Sequence, residues 1–201
     1  MTSSRDWDGA YSQPAAAPWD IGRPQPRFVA AAESGLLRGS LLDAGCGSGE
    51  HTLLAATRGA VALGVDVSAT AIELARAKAR DRGVAARFEV GDLLEMELPS
   101  ASYDVVLDSG VFHVFDDSDR QRYVDVLRDL LRPGGVCCLM CFSERQPGDW
   151  GPRRVTKREL TDSFADGFTV ERIDEATFDI NPMMDVETVI AWFATIRRGD
   201  D

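Results

Sequence analysis

The chain has 201 residues, 44% of them hydrophobic and 27% charged, which is typical of one globular domain. Its net charge of -11 would repel a phosphate backbone and argues against a nucleic-acid partner. It contains neither an apolar run long enough to span a bilayer nor a secretory signal pattern, and three of its four cysteines lie within five residues. We therefore expect a cytoplasmic protein with reduced thiols, no membrane partner, and a monomeric or homodimeric state.

Residues 1–26 are rich in Pro, Ala, Ser and Gly, and include Trp7, Tyr11 and Trp19. Two tryptophans present too much apolar area to leave in water without a docking surface. We expect residues 1–26 to form an N-terminal arm that folds as a lid over a site, and residues 27–201 to form one domain.

From residue 27 onward the sequence alternates between helical and strand patterns. Predicted helices cover residues 28–37, 50–58, 69–83, 119–131 and 157–164. Predicted strands cover residues 40–45, 61–66, 87–92, 103–110, 136–142, 169–180 and 189–198. This alternation predicts an α/β, Rossmann-like fold, in which a seven-stranded, mostly parallel sheet has helices on both faces and an antiparallel last strand. A ligand should then bind at the carboxyl ends of the strands.

A glycine-rich turn follows the first predicted strand and contains Gly45, Cys46, Gly47 and Gly49. Such a turn lets the backbone approach a ligand closely, as in a dinucleotide site or an S-adenosylmethionine site. A dinucleotide fingerprint needs its third glycine at position 50, which Glu50 occupies. We expect Cys46 to be there as a small residue that fits the turn.

Carboxylates near the turn and at later strand ends favour a cationic adenosyl ligand. Asp43 stands two residues before the first glycine, where it would oppose a pyrophosphate but suit an ammonium and a sulfonium. Asp66 ends the second strand, where a carboxylate can accept both ribose hydroxyls. Asp92 follows the third strand and can accept from an adenine amino group while Leu93 packs on the ring. Asp108, in the fourth strand, is a further candidate cofactor contact.

The segments LLDAGCGSGE, GVDVS, VGDLL, YDVVLDSG and LRPGG occur in this order and resemble the successive motifs of class I S-adenosylmethionine-dependent methyltransferases. The resemblance covers residues 27 to about 200 and implies that this part of the chain is a methyltransferase domain. It implies that Gly45, Gly47 and Gly49 contact the methionine moiety, that Asp66 binds the ribose, and that Asp92 binds the adenine. By the same resemblance, Val67 and Leu93 flank the adenosine.

A narrower resemblance concerns PWDIGRPQPRF, DSGVFHVF and CFSERQPGDWGPRR, which are similar to segments of small-molecule methyltransferases of the thiopurine, tellurite-resistance and heterocyclic-toxin type. It implies that Trp19 closes over the cofactor and that the methyl acceptor approaches from that side. His113 is then the candidate general base or substrate orienter, although it could equally pack beside Phe112. We expect the second histidine, His51, to be structural or adjacent to the cofactor.

Further acceptor-site candidates follow the fifth predicted strand. Ser143, Arg145 and Trp150 lie in or before a Pro/Gly-rich loop, which could be a substrate wall or a solvent-exposed loop with one anchoring aromatic. We expect no metal site, because Cys138 and Cys141, three apart on a strand, should point to opposite faces.

These features predict an enzyme that transfers a methyl group from S-adenosylmethionine to an S, N or O nucleophile of a small aromatic or heterocyclic molecule, with S-adenosylhomocysteine as product. A nicotinamide-dependent oxidoreductase is the first alternative, which the residue at position 50 disfavours. A non-catalytic module that binds the cofactor or a metabolite is the second, because the same residues would hold the ligand without turnover.

Overall fold

The computed structural model describes residues 6–13, 17–183 and 186–200, so residues 1–5 and 14–16 of the predicted arm lie outside the described residues. The strands are β1 (Ser40–Ala44), β2 (Val61–Asp66), β3 (Arg87–Val90), β4 (Tyr103–Ser109), β5 (Leu131–Phe142), β6 (Phe168–Met183) and β7 (Val186–Arg198). The helices are α1 (Trp7–Ser12), α2 (Pro26–Glu33), α3 (Glu50–Thr57), α4 (Ala69–Arg82), α5 (Asp117–Leu130) and α6 (Lys157–Ser163), with a 3₁₀ turn over Phe112–Val114.

The seven strands form one sheet in the order β3-β2-β1-β4-β5-β7-β6. Neighbouring strands from β3 to β5 run parallel, whereas β7 is antiparallel to both β5 and β6. The predicted fold class is confirmed, including the antiparallel last strand. The order reverses direction beside β1, so the loops after β1 and β4 meet at the same edge.

Local sequence signals explain where the helices begin and end. The Ser68 side chain accepts a hydrogen bond from the Ala71 amide at the start of α4, and Gly83 ends that helix in the left-handed region with φ +63°. Thr156 and Glu159 form a reciprocal capping box at the start of α6. The short helix α1 was not predicted, because the arm's composition indicated irregular structure.

Apolar side chains cover both faces of the sheet. One core cluster joins the sheet to α5 and α6, and a second joins it to α2 and α3. Within β5, Cys141 lies in the first cluster and Cys138 in the second, as the alternation of a strand predicts. All four cysteines are buried and carry free thiols. None of the helices in the described ranges is both long and apolar enough to cross a bilayer.

Candidate cofactor and acceptor site

The glycine turn joins β1 to α3, and Gly45, Gly47 and Gly49 all have positive φ, at +61°, +52° and +88°. A Cβ on Gly49 would lie 2.8 Å from the Ala75 side chain, and a Cβ on Gly45 would collide with Val111. These two glycines are therefore required by packing inside the domain. Gly47 instead turns its α-carbon toward the arm.

Asp66, at the end of β2, is tied to the glycine turn. Its Oδ2 accepts from the Gly47 amide at 2.8 Å and its Oδ1 accepts from the Ser68 amide at 2.9 Å. Burial raises the pKa of Asp66 above its ordinary value, an effect that these amides oppose. The prediction that Asp66 and the turn belong to one site is consistent with this link.

Asp43 and Cys46 lie beneath the turn. The buried Asp43 carboxylate accepts from Thr52 Oγ1 at 2.6 Å, and burial raises its pKa to about 7. Cys46 is also buried, and burial raises the pKa of its thiol well above the ordinary value. A Cβ on Gly64 would lie 2.8 Å from Cys46 Sγ, so position 64 must be glycine for the Cys46 side chain to fit. Both side chains therefore shape the turn from below.

The arm covers the turn from above. Asp8, in α1, accepts from Ser68 Oγ at 2.7 Å and from the Thr70 amide at 2.9 Å, which attaches α1 to the start of α4. Trp19 is T-shaped against both Trp7 and Tyr11, with ring centroids 5.6 and 6.3 Å away. Its Nε1 donates to the Tyr11 hydroxyl at 2.9 Å. Trp19, although partly exposed, therefore lies in a cluster over Gly47.

The second half of the arm is fixed to β6. Asn181 Nδ2 donates to the carbonyls of Ala17 at 2.8 Å and Asp20 at 2.9 Å. The buried Gln25 side chain exchanges two hydrogen bonds with the Asp179 backbone. The Gln25 backbone amide donates to His51 Nε2 at 3.0 Å. Burial lowers the pKa of His51 to about 4. His51 therefore serves as a neutral acceptor in the fold.

The electrostatic surroundings of the turn fit a cation. Asp20 accepts from Ser48 Oγ at 2.6 Å, within the turn itself. The nearby bases in the described part of the chain, Lys78 and Arg82, both pair with Glu50, at 2.9 and 2.7 Å. Asp8 and Asp66 also lie close to the turn. This acidic cradle suits the ammonium and sulfonium of S-adenosylmethionine better than a pyrophosphate.

The predicted adenosine contacts lie at the neighbouring strand ends. Val67 is exposed directly after β2, while Leu93 is buried in the core cluster beside β3. Oδ1 of the exposed Asp92 accepts from the Leu94 amide at 2.9 Å. This local hydrogen bond does not use Oδ2. Val67 and Asp92 are thus accessible to a ligand, whereas Leu93 faces the interior.

Asp108 and Phe112 lie deeper than the sequence suggested. The fully buried Asp108 carboxylate accepts from the amides of Val111 and Phe112 and from Tyr123 Oη, at 2.8, 3.0 and 2.9 Å. Burial raises the pKa of Asp108 to about 6. Phe112 is fully buried and stacks on Phe164 at 5.8 Å. The Asp108 carboxylate holds the loop after β4, because that loop needs buried partners for its amides.

His113 is also buried, and its Nδ1 accepts from the Phe142 amide at 2.9 Å. The neutral ring therefore carries its proton on Nε2. His113 lies 5.0 Å from the Phe142 ring and 6.0 Å from the Phe178 ring, and Trp150 lies 6.2 Å from Phe142. These four aromatic side chains, here called the aromatic wall, group at the carboxyl end of β5 and β6, where His113, Phe142 and Phe178 are buried and Trp150 is partly exposed.

Of the remaining acceptor-site candidates, only Trp150 joins this group. The buried Ser143 hydroxyl accepts from the Arg145 amide at 3.0 Å and so stabilises the turn after β5. Arg145 is exposed and pairs with Glu175, away from the aromatic wall. Neither places its side chain beside the glycine turn. In the described ranges, no three His, Cys, Asp or Glu side chains group as metal ligands would.

Sequence reasoning did not assign Tyr11, Asn181, Phe142 or Phe178 to the site. In the sequence, Tyr11 is one of three aromatic residues in the arm, and no motif marks it as a ligand contact. Phe142 ends an apolar strand and Phe178 lies in an amphipathic one, where side-chain alternation does not distinguish a core residue from a wall of a cleft. Their grouping depends on the β5, β7 and β6 register.

Comparison with known proteins agrees with this geometry. The Methyltransferase domain family model matches residues 41–135. The 2-heptyl-1-hydroxyquinolin-4(1H)-one methyltransferase of Mycobacteroides abscessus is 32% identical over 170 residues, covering 83% of this chain and 75% of that protein. Probable thiol methyltransferase 2 of Arabidopsis thaliana is 27% identical, covering 94% and 85%.

A solved structure described as "Conversion of a Disulfide Bond into a Thioacetal Group during Echinomycin Biosynthesis" superposes with a TM-score of 0.83 and 36% sequence identity, covering 92% of this chain and 86% of that one. The chain belongs to the class I S-adenosylmethionine-dependent methyltransferases.

Proposed function

We propose that the chain transfers a methyl group from S-adenosylmethionine to a sulfur, nitrogen or oxygen nucleophile of a small aromatic or heterocyclic molecule. The observation that carries this proposal is the acidic glycine turn, in which Asp66 holds the Gly47 amide while the arm closes above it. In this proposal residues 1–26 are the lid, and residues 27–201 are the methyltransferase domain.

When bound, S-adenosylmethionine supplies an electrophilic methyl group that a nucleophile displaces in line, with a neutral thioether leaving. The protein's task is alignment and exclusion of water. Gly47, Asp66, Val67 and Asp92 would hold the cofactor, and Trp19 would cover it. Gly45, Cys46, Gly49, Asp43 and Leu93 would support these contacts from within the domain.

The aromatic wall would receive the methyl acceptor, because flat apolar rings favour a flat apolar ligand. His113 would orient that ligand rather than act as its base, since Nδ1 already accepts the Phe142 amide. A nucleophile that ionises without help, such as a thiol or an acidic hydroxyl, fits such a site best. The names of two relatives, one a thiol and one a hydroxyquinolone methyltransferase, support the same chemistry.

Calorimetry with S-adenosylhomocysteine tests the cofactor half of the proposal. The purified chain should bind it, and Asp66→Ala should weaken binding by about 1–3 kcal/mol through lost charge-assisted hydrogen bonds. Asp125→Ala, an exposed carboxylate on α5, is the matched control and should bind normally. Equal affinities for Asp66→Ala and the wild type would refute the ribose role.

A radiolabelled methylation screen tests the acceptor half. Aromatic thiols, acidic phenols and N-hydroxy heterocycles should be methylated faster than neutral alcohols at pH 7.5. A chain that binds cofactor but methylates none of these classes would be a binding module. A chain that prefers neutral alcohols would contradict the orienting role proposed for His113.

A further inference from the structure

The arm places a tyrosine hydroxyl directly over the glycine turn. A Cβ on Gly47 would collide with Tyr11 Oη, so the hydroxyl occupies the space that any other residue at position 47 would fill. Gly47 also has φ +52°, which disfavours side chains independently. Asp66, which accepts the Gly47 amide, is close enough for its charge to add to burial in raising the pKa of Tyr11. The phenol therefore keeps its proton.

The direction of that proton is restricted by Trp19. An indole N–H is only a donor, so in the 2.9 Å bond between Trp19 Nε1 and Tyr11 Oη the tyrosine oxygen is the acceptor. Tyr11 must direct its own proton elsewhere. In residues 6–13, 17–183 and 186–200, Tyr11 donates no hydrogen bond to the protein. A half-buried donor is thus held without a protein acceptor beside the turn.

The arm's attachments fix this donor in space. Asp8, three residues earlier in α1, accepts from Ser68 and Thr70. The Trp19 ring packs on both Trp7 and Tyr11. A donor held from two sides needs little further ordering when a ligand arrives, so its hydrogen bond contributes more to affinity.

The amino-acid end of the cofactor offers one matching group. Its ammonium is a donor and suits the carboxylates near the turn, whereas its carboxylate is an acceptor that needs donors. Building on the proposed function, we propose that Tyr11 is a cofactor-binding residue whose hydroxyl donates to the carboxylate of S-adenosylmethionine. Trp19 is a positioning residue that fixes the direction of this hydroxyl.

Isothermal calorimetry with two ligands tests the assignment. S-adenosylmethionine carries the carboxylate, whereas decarboxylated S-adenosylmethionine keeps the ammonium and the sulfonium but lacks it. Tyr11→Phe keeps the ring and should weaken binding of S-adenosylmethionine by roughly 10- to 100-fold, while binding the decarboxylated ligand like the wild type. Trp19→Phe should show the same ligand dependence with a smaller loss.

The matched control is Tyr103→Phe, which removes a hydroxyl far from the arm and should bind both ligands normally. Equal losses for the two ligands in Tyr11→Phe would indicate a merely structural role and overturn the assignment. Tighter binding of both would mean that Tyr11 blocks the site, which also overturns it. If the wild type bound neither ligand, the proposed function itself would fail, an outcome distinct from an unaffected Tyr11→Phe variant.

Discussion

At the scale of single residues, burial decides what each polar side chain can do. Asp108, near the end of β4, and His113, in the 3₁₀ turn that follows, are two positions where the sequence predicted ligand contacts. Their oxygens and Nδ1 are instead used by backbone amides and Tyr123. Because a buried amide without a partner is costly, such side chains are first of all structural.

Substitution of His113 distinguishes a base from an orienting residue. In His113→Asn, the asparagine amide oxygen can take the place of Nδ1 and accept from the Phe142 amide. The variant should therefore methylate an acidic acceptor at a rate within about fivefold of the wild type. His113→Leu removes the acceptor and should lower the free energy of unfolding by about 1–3 kcal/mol. The pH profile of kcat/KM checks the role. If His113→Asn lowered kcat/KM by more than about 100-fold and abolished a step in its pH profile, His113 would be the general base after all.

Tyr123 stabilises the fold through a single hydroxyl. Tyr123→Phe removes one of three donors to the buried Asp108 carboxylate and should lower the free energy of unfolding at pH 8 by about 1–3 kcal/mol. Tyr103→Phe is the matched control, because the Tyr103 hydroxyl makes no hydrogen bond with the described residues, and it should change stability by less than about 0.5 kcal/mol. Urea unfolding measures both. Similar losses in the two variants would contradict the role given to Asp108.

At the scale of elements, the arm is held by β6 as much as by the glycine turn. The side-chain amide of Asn181 donates to the carbonyls of both Ala17 and Asp20, and its backbone amide donates to the Pro18 carbonyl at 2.8 Å. The hairpin of β6 and β7 therefore does more than close the sheet. It carries the attachment point of the proposed lid.

Removing that attachment should open the lid. Asn181→Ala should speed the release of S-adenosylhomocysteine by roughly tenfold and open the Trp19–Asp20 bond to chymotrypsin, because two hydrogen bonds to the arm beside that bond are lost. Glu171→Gln is the control, since Glu171 lies on the same strand but pairs with Arg197 and not with the arm. Stopped-flow fluorescence and limited proteolysis would follow the two effects. Release at the wild-type rate from Asn181→Ala would show that the arm does not control access.

At the scale of the whole molecule, buried titratable groups have opposite effects on how the stability of the fold depends on pH. Burial lowers the pKa of His51 to about 4, but raises that of Asp43 to about 7 and that of Asp108 to about 6. On acidification below pH 6.5, the unfolded chain protonates His51 while the folded chain does not, which destabilises the fold. The two aspartates take up protons in the folded state first, which stabilises it.

The histidine contribution can be isolated with His51→Gln, whose amide oxygen can accept from Gln25. The stability of the wild type relative to this variant should be constant above pH 6.5 and should fall by up to about 3 kcal/mol toward pH 4. Chemical unfolding of both proteins between pH 4 and pH 8 gives this difference directly. A difference that stayed constant with pH would mean that His51 is protonated equally in the folded and unfolded states.

The sequence by itself determined the order of the helices and strands, the parallel sheet and the methyl donor. These follow from local patterns: apolar periodicity, helix caps such as Ser68, and the spacing of glycines and carboxylates around residues 43–66. Strand ends were less accurate, because pairing between β6 and β7 extends both beyond their apolar centres.

Only the tertiary structure decided which side chains face the site. Phe112 and Asp108 are buried beneath the loop after β4, whereas Phe142 and Phe178 come from distant strands to pack beside His113, and Asn181 comes from β6 to bind the arm. Tyr11 reached the glycine turn because the arm folds back across the sheet edge. Sequence patterns fix which way a residue alternates within its own element, but long-range packing fixes what lies opposite it.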